Sequence, residues 1–134
     1  MRRAHAVQGS LLRAACAVGL WAWIGAWSAA QAAELSAAAV KEITLLLERI
    51  EVSNCAFMRN GSWYTPAEAR KHLQRKLDYM VERKMLGSAE QFIADTAAAS
   101  SLTGRPYMVR CGAGEPMQSA AWLNAELRRL RTPS

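Results

Sequence analysis

Apolar and polar residues recur with two different periods along the chain, and the changes between them outline the predicted fold. Between Ser36 and Glu51 apolar residues recur every three or four positions, and charged residues fill most of the gaps. This spacing places the apolar side chains on one face of an α-helix. The chain is therefore predicted to form a first helix over residues 36–51. Its core-facing residues are expected to be Val40, Ile43, Leu46, Leu47 and Ile50.

The segment after this helix predicts a β-hairpin. Asn60-Gly61 is a strong signal for a two-residue turn, because a type I′ turn needs positive φ angles that both residues tolerate. The resulting register pairs three positions across the strands: Phe57 with Tyr64, Met58 with Trp63, and Arg59 with Ser62. Each face of the hairpin then carries an aromatic ring. Helices are expected to pack on one face and to leave the other partly covered or free for contact.

Cap signals and periodicity predict three further helices. Thr65-Pro66-Ala67-Glu68 supplies an N-cap, a proline at the first helical position and a capping-box glutamate, so a second helix should run to about Arg83. Ser88 with Gln91 marks the start of a short third helix, and a last helix is expected over residues 119–131. The residues predicted to face the core are Ala69, Leu73, Leu77, Met80, Val81, Phe92, Ile93, Ala97, Trp122, Leu123, Leu127 and Leu130.

A third strand completes the predicted fold. It is expected over residues 106–111, between a polar loop at 100–105 and a second loop at 112–116. The element order predicts an α+β fold, with about four helices packed on a small antiparallel hairpin plus a third strand.

The first 32 residues show the three parts of a secretory signal peptide. A basic start contains Arg2, Arg3 and Arg13. An apolar run follows over residues 14–30, and Ala30-Gln31-Ala32 places small residues where a signal peptidase reads them. The run is short compared with the roughly 20 residues that span a bilayer, so an uncleaved anchor is the less favoured alternative. We predict cleavage after about Ala32, a single domain over residues 33–134, and no stable membrane span afterwards.

The charge of the remaining chain argues against a nucleic-acid partner. The whole sequence has a net charge of +6, but three of its 17 basic residues and none of its 11 acidic ones lie in the predicted signal. The rest, 14 basic against 11 acidic residues, has a net charge of only +3. A nucleic-acid interface needs basic residues clustered on one face, and here they mostly alternate with acids.

Two cysteines follow the predicted signal, Cys55 and Cys111. In an exported protein an even pair indicates a disulfide. A metal site or a reactive thiol is the alternative, but the chain after the signal has one histidine and no C-x-x-C pair. We predict a Cys55–Cys111 disulfide, with no metal and no cofactor.

Several polar residues are candidates for a binding surface. Arg59 lies beside the predicted turn with Tyr64 nearby, and an arginine there could bind a carboxylate or stack against an aromatic ring. Ser100 and Ser101, with Arg105, could form a nest of donors for an anion. The structural alternatives are a solvated arginine and a loop whose hydroxyls cap the preceding helix and turn the chain.

His72 is the histidine on which a catalytic hypothesis would depend. A nucleophilic site would combine it with Ser100 or Ser101 and an acidic residue. G-x-S-x-G is missing from the sequence, and His72 falls at the edge of the apolar face of its helix, where a structural hydrogen bond is the commoner role. A small hydrolase is therefore only an alternative hypothesis.

Four groups of residues carry a family resemblance. They are Cys55-x-Phe57-x-Arg59-Asn60-Gly61 with Trp63-Tyr64, Ala69-x-x-His72-Leu73-x-x-Lys76, Ser100-Ser101-x-Thr103-Gly104-x-Pro106-Tyr107, and Cys111 with Trp122-Leu123. Together they resemble the YfeK-like proteins, a family of small exported bacterial proteins with a domain of unknown function. Thr103 departs from the serine expected there but keeps the hydroxyl. The resemblance implies a periplasmic location and a compact domain, and it supplies no activity, ligand or catalytic residue.

These observations favour a periplasmic, disulfide-linked binding or interaction module without catalysis. Its candidate surface contains Arg59, Tyr64, His72, Ser100, Ser101 and Arg105. The expected partner is an envelope protein or a peptidoglycan fragment. A structural subunit of a larger envelope assembly is the remaining alternative.

Overall fold

A four-stranded antiparallel sheet and the helices packed on it form the fold. The computed structural model describes residues 34–132, so the predicted signal peptide and its cleavage after Ala32 lie outside the described residues. The helices are α1 (Ala37–Val52), α2 (Pro66–Glu82), α3 (Ala89–Gln91), which continues into a π-helical segment (Phe92–Ala97), and α4 (Ser119–Arg131). The strands are β1 (Cys55–Arg59), β2 (Ser62–Tyr64), β3 (Met108–Cys111) and β4 (Met117–Gln118). The α+β class is confirmed.

The sheet has the order β2-β1-β3-β4, so β1 and β3 lie at its centre. The hairpin register is the predicted one, with Phe57 opposite Tyr64. Asn60 and Gly61 adopt φ angles of 50° and 87°, as their turn requires. The predicted disulfide is also confirmed, because Cys55 and Cys111 are bonded and lie directly opposite each other on β1 and β3. It fastens the third strand beside the hairpin.

Side-chain caps start the helices where the sequence predicts them. Thr65 and Glu68 form the complete capping box of α2, in which Glu68 Oε2 accepts the Thr65 backbone N–H at 2.8 Å. The Ser88 hydroxyl accepts the backbone N–H of Gln91 at 3.1 Å and begins α3. These bonds satisfy N–H groups that have no partner within the helix.

The core lies between the inner face of the sheet and the helices. Its largest fully buried side chains are Phe92, Ile43, Leu46, Ile50, Leu86, Ile93, Leu123, Val109 and Thr96. On the opposite face of the sheet Trp63 keeps 38% of its surface exposed, and the Arg110 guanidinium lies 4.4 Å from the centre of its ring. That face is therefore partly covered.

Three features of the fold differ from the prediction. Val40 and Val81 were expected in the core but are 48% and 44% exposed, because they line a surface groove between α1 and α2. Most of the third helix is π-helical, and that backbone cannot be distinguished from an α-helix by apolar spacing. Strand β4 was not predicted, because two residues are too few to show an alternating pattern. Within residues 34–132, none of the helices is long and apolar enough to cross a membrane.

Candidate functional site

Arg59, the last residue of β1, connects the hairpin to α2. Alternation along the strand places Arg59 on the same face as Cys55 and Phe57, which is the face that the helices cover. Its Nη1 atom lies 2.7 Å from Nδ1 of His72, and Nη2 donates to the Tyr64 hydroxyl at 3.3 Å. The guanidinium carbon is also 4.8 Å from the centre of the Tyr64 ring. Arg59 is thus held, half-buried, between a strand and a helix.

The imidazole of His72 is neutral, and its contacts determine which nitrogen carries the proton. A guanidinium can only donate hydrogen bonds, so Nδ1 must accept. Nε2 therefore carries the proton and donates to the Tyr107 hydroxyl, 3.0 Å away. Burial, followed by the charges of Arg59, Lys76 and Arg75, lowers the pKa of His72 from 6.5 to about 4. The ring consequently remains uncharged at neutral pH.

Lys76 lies one helical turn beyond His72, on the same side of α2. Its ammonium donates to the Ala99 carbonyl at 3.0 Å and lies 3.5 Å from the Tyr107 hydroxyl. Burial and the charge of Arg59 lower the pKa of Lys76. Burial raises the pKa of Tyr107, an effect that the Arg59 charge partly opposes, so the phenol keeps its proton.

Arg59, Tyr64, His72, Lys76 and Tyr107 form what we call the basic cluster. It contains more hydrogen-bond donors than acceptors: both partners of the Arg59 guanidinium are neutral, and the Tyr107 oxygen receives bonds from two donors. The ion pairs found within residues 34–132 include neither Arg59 nor Lys76. The two cations are therefore not neutralised by a carboxylate of the described chain.

Two cavities flank the basic cluster, and both are lined by Arg59, Tyr64, His72 and Tyr107. We call the first the hairpin–helix cavity; it has a volume of about 240 Å³. Its other lining residues are Phe57, Met58, Glu68, Ala69, Lys71, Leu73, Arg75 and Ser119. We call the second the loop cavity; it measures about 370 Å³. Its other lining residues are Asn60, Ser62, Lys76, Ser100, Ser101 and Leu102.

The loop at residues 100–105 is fastened to the hairpin turn. The Asn60 amide donates to the Ser100 hydroxyl at 3.4 Å and accepts from the Thr103 hydroxyl at 2.8 Å. Ser100 is buried, and its hydroxyl also accepts the Thr103 backbone N–H at 3.4 Å. These bonds support the structural interpretation of the loop hydroxyls. Arg105 is exposed and lines neither cavity.

The arrangement around His72 differs from that of a serine nucleophile with its base. Such a site needs a hydrogen bond between the hydroxyl and the imidazole. Within the described chain, the ring nitrogens of His72 bond to Arg59 and Tyr107, and neither Ser100 nor Ser101 bonds to the ring. The structure thus brings both serines and His72 to the loop cavity without linking them.

Two members of the basic cluster were not among the candidate residues. Lys76 could have been found, because it lies four positions after His72 and so shares its side of the helix. Tyr107 precedes β3, and its position beside α2 depends on packing between distant segments. No local pattern in the sequence indicates that contact.

Comparisons with known proteins agree with this description and assign no activity. Residues 37–131 match a family model described as a family of unknown function, DUF5329. A segment of 51 residues is 45% identical to the uncharacterized protein YfeK of Salmonella typhimurium, covering 38% of this chain and 41% of that protein. No solved structure matches the chain. The resemblance to YfeK-like proteins is confirmed, and the chain belongs to the DUF5329 family of unknown function.

Proposed function

We propose that this protein is a binding module of the bacterial cell envelope that holds an anionic group at the basic cluster. One observation carries the proposal: the half-buried Arg59 guanidinium bonds to two neutral acceptors and has no carboxylate partner within residues 34–132. A charge that is partly removed from water and has no counter-charge is costly to maintain. A bound anion would supply the missing charge.

The rest of the cluster supports the same chemistry. Lys76 adds a second positive charge, and the Tyr64 and Tyr107 hydroxyls add polar hydrogens. The neutral His72 orients Arg59 without cancelling its charge. The cluster is therefore built mainly from groups that donate to an anion, and a planar guanidinium suits a carboxylate or a phosphate.

The proposed location is the periplasm, and the proposed partner is an envelope protein or a peptidoglycan fragment. The location is supported by the signal-like leader in the sequence and by the disulfide, which persists in an oxidising compartment. Arg59 and Tyr64, at the hairpin, are the proposed contact residues. Ser100 and Ser101 border the same region from the loop side.

Anion binding can be tested by NMR titration of the purified, oxidised protein with sodium acetate and with sodium phosphate at low ionic strength. We expect saturable shifts at Arg59, Tyr64 and His72. Arg59→Gln should weaken binding about ten-fold or more, because a hydrogen bond to a charged group contributes about 1.5–3 kcal/mol.

Arg83→Gln is the matched control, since Arg83 also lies over a tyrosine, 3.7 Å from the ring centre of Tyr79, but is exposed and lines neither cavity. It should leave anion binding unchanged. Failure of both anions to bind, or equal binding by the Arg59→Gln protein, would contradict the proposal.

A further inference from the structure

We infer that the anionic group is a free peptide C-terminus, with its carboxylate on Arg59 and its last side chain inside the hairpin–helix cavity. The inference rests on the proposed function and names its ligand class. Three properties of the cavity support it: its size, its apolar wall and the distribution of charge around it.

The size of the cavity suits one small residue. Its volume is about 240 Å³. Pockets for drug-sized molecules are larger, at about 300–1,000 Å³. A carboxylate with a short aliphatic side chain fits this space.

Part of the cavity wall is apolar. Phe57 and Leu73 are 7% and 5% exposed, and Ala69, which also lines the cavity, is partly buried. An inorganic anion gains nothing from contact with such a surface. An aliphatic side chain gains from leaving water there. The cavity therefore suits a ligand that is charged at one end and apolar beside it.

The charges lining the cavity are mainly positive. Arg59 is the half-buried cation of the hairpin–helix cavity, while Lys71 and Arg75 are exposed where they line it. Glu68, also exposed, contributes a carboxylate to the lining, but its Oε2 atom is hydrogen-bonded to Thr65 in the capping box. A carboxylate can take two parallel hydrogen bonds from a guanidinium. Because the Tyr64 oxygen accepts from Arg59, its own O–H can donate to the same carboxylate.

The ligand class can be tested with short peptides. Calorimetric titration would compare N-acetyl-alanyl-alanine, its C-terminal amide and inorganic phosphate. We expect the acid to bind. The affinity of the amide should be lower by about ten-fold or more. The all-L and all-D acids form separate arms, which distinguish a protein C-terminus from a peptidoglycan stem peptide.

Variants at Arg59 and Ala69 separate the contribution of the ligand's carboxylate to binding from that of its last side chain. Arg59→Gln should abolish binding of the acid, and Arg83→Gln should not. Ala69→Leu fills the apolar part of the cavity and should exclude the peptide while leaving acetate bound at Arg59.

Each failure has a separate meaning. Equal binding of the acid and the amide, or unchanged peptide binding by the Ala69→Leu protein, would overturn the inference. Phosphate binding at Arg59 without peptide binding would overturn the inference and leave the proposed function standing. Absence of binding by acetate, phosphate and peptide would overturn both.

Discussion

Arg59 and His72 share one hydrogen bond, and that bond connects the protonation of the imidazole to the stability of the protein. A protonated His72 could not accept from Arg59, and it would place a third positive charge beside Arg59 and Lys76. The folded protein therefore resists protonation of this ring. The unfolded chain does not, because there the ring is surrounded by water.

Acidification should therefore destabilise the protein between pH 6.5 and about pH 4. In that interval the unfolded state binds a proton on His72 that the folded state does not, so the free energy of unfolding falls as the pH falls. The slope should be well below the limit of about 1.4 kcal/mol per pH unit, because the ring is partly exposed and its interactions are screened.

Urea unfolding at pH 7.0, 6.0 and 5.0 would measure this effect, with His72→Gln as the comparison. The variant should show a flatter dependence on pH. Glu42, Glu68 and Glu90 have lowered pKa values, so their contributions are lost at more acidic pH than the interval tested. Parallel profiles for the two proteins would contradict the assignment to His72.

The positions of individual side chains could be predicted from the sequence where the local backbone geometry determines them. The turn at Asn60-Gly61 determined the register, and the register placed Phe57 opposite Tyr64 and Arg59 opposite Ser62. The hairpin face with Arg59 and Tyr64 was expected to be the contact surface, but it is the face that the helices cover, because the direction from which helices pack depends on distant segments. The position of His72 at the edge of an apolar helix face also agrees with its partial burial. Tyr107 could not be placed, because it reaches the cluster through the packing of a loop against α2.

Among the elements, the loop at residues 100–105 depends on the hairpin turn. The Asn60 side chain forms hydrogen bonds with two residues of this loop, Ser100 and Thr103. The Asn60 backbone forms part of the turn itself. Asn60→Gly separates these roles, because glycine readily adopts the observed φ of 50° but has no amide side chain.

We expect Asn60→Gly to retain the hairpin and to loosen the loop. The loss in unfolding free energy should be about 1–2 kcal/mol, the usual contribution of one or two neutral hydrogen bonds. Hydrogen exchange should accelerate at Thr103 and Gly104 and remain unchanged in β1. Unchanged exchange at Thr103 and Gly104 would show that Asn60 does not hold the loop.

Prediction of the elements succeeded where caps and turns act locally. The capping box of α2 and the hydroxyl cap of α3 are both in place. It failed for the exposed Val40 and Val81, because periodicity identifies an apolar face but not how far the neighbouring helix covers it. The π-helical segment likewise depends on tertiary packing.

For the whole molecule the disulfide is the main constraint on the unfolded chain. Cys55 and Cys111 are 56 residues apart. Closing a loop of that length lowers the entropy of the unfolded state by an amount that stabilises the fold by about 4 kcal/mol. A domain of this size has a total stability of about 5–15 kcal/mol.

Replacing both cysteines with alanine should lower the unfolding free energy by about 2–5 kcal/mol. Alanine suits the site because Cys55 is buried and a polar replacement would add a desolvation cost. Urea unfolding of the variant, compared with the native protein with and without a reductant, would measure the effect. The reductant should have no effect on the variant, and equal midpoints for the variant and the oxidised protein would refute the prediction.

The fold class followed from the order of elements, and the pairing of β1 with β3 followed from the cysteine count together with the export signal. The edge strand β4 could not be predicted, because Met117 and Gln118 form a strand only when β3 lies beside them. No local sequence pattern indicates long-range pairing of this kind.

The cross-strand disulfide also has a consequence for the direction in which Arg59 points. Shifting β1 by one residue against β3 would turn every side chain of β1 to the other face of the sheet, and Arg59 would leave His72. A covalent bond between two directly opposed residues forbids that slip. Cysteine oxidation thus helps to fix the direction of a side chain four positions away, and correct assembly of the basic cluster depends in part on the redox chemistry of the compartment where the chain folds.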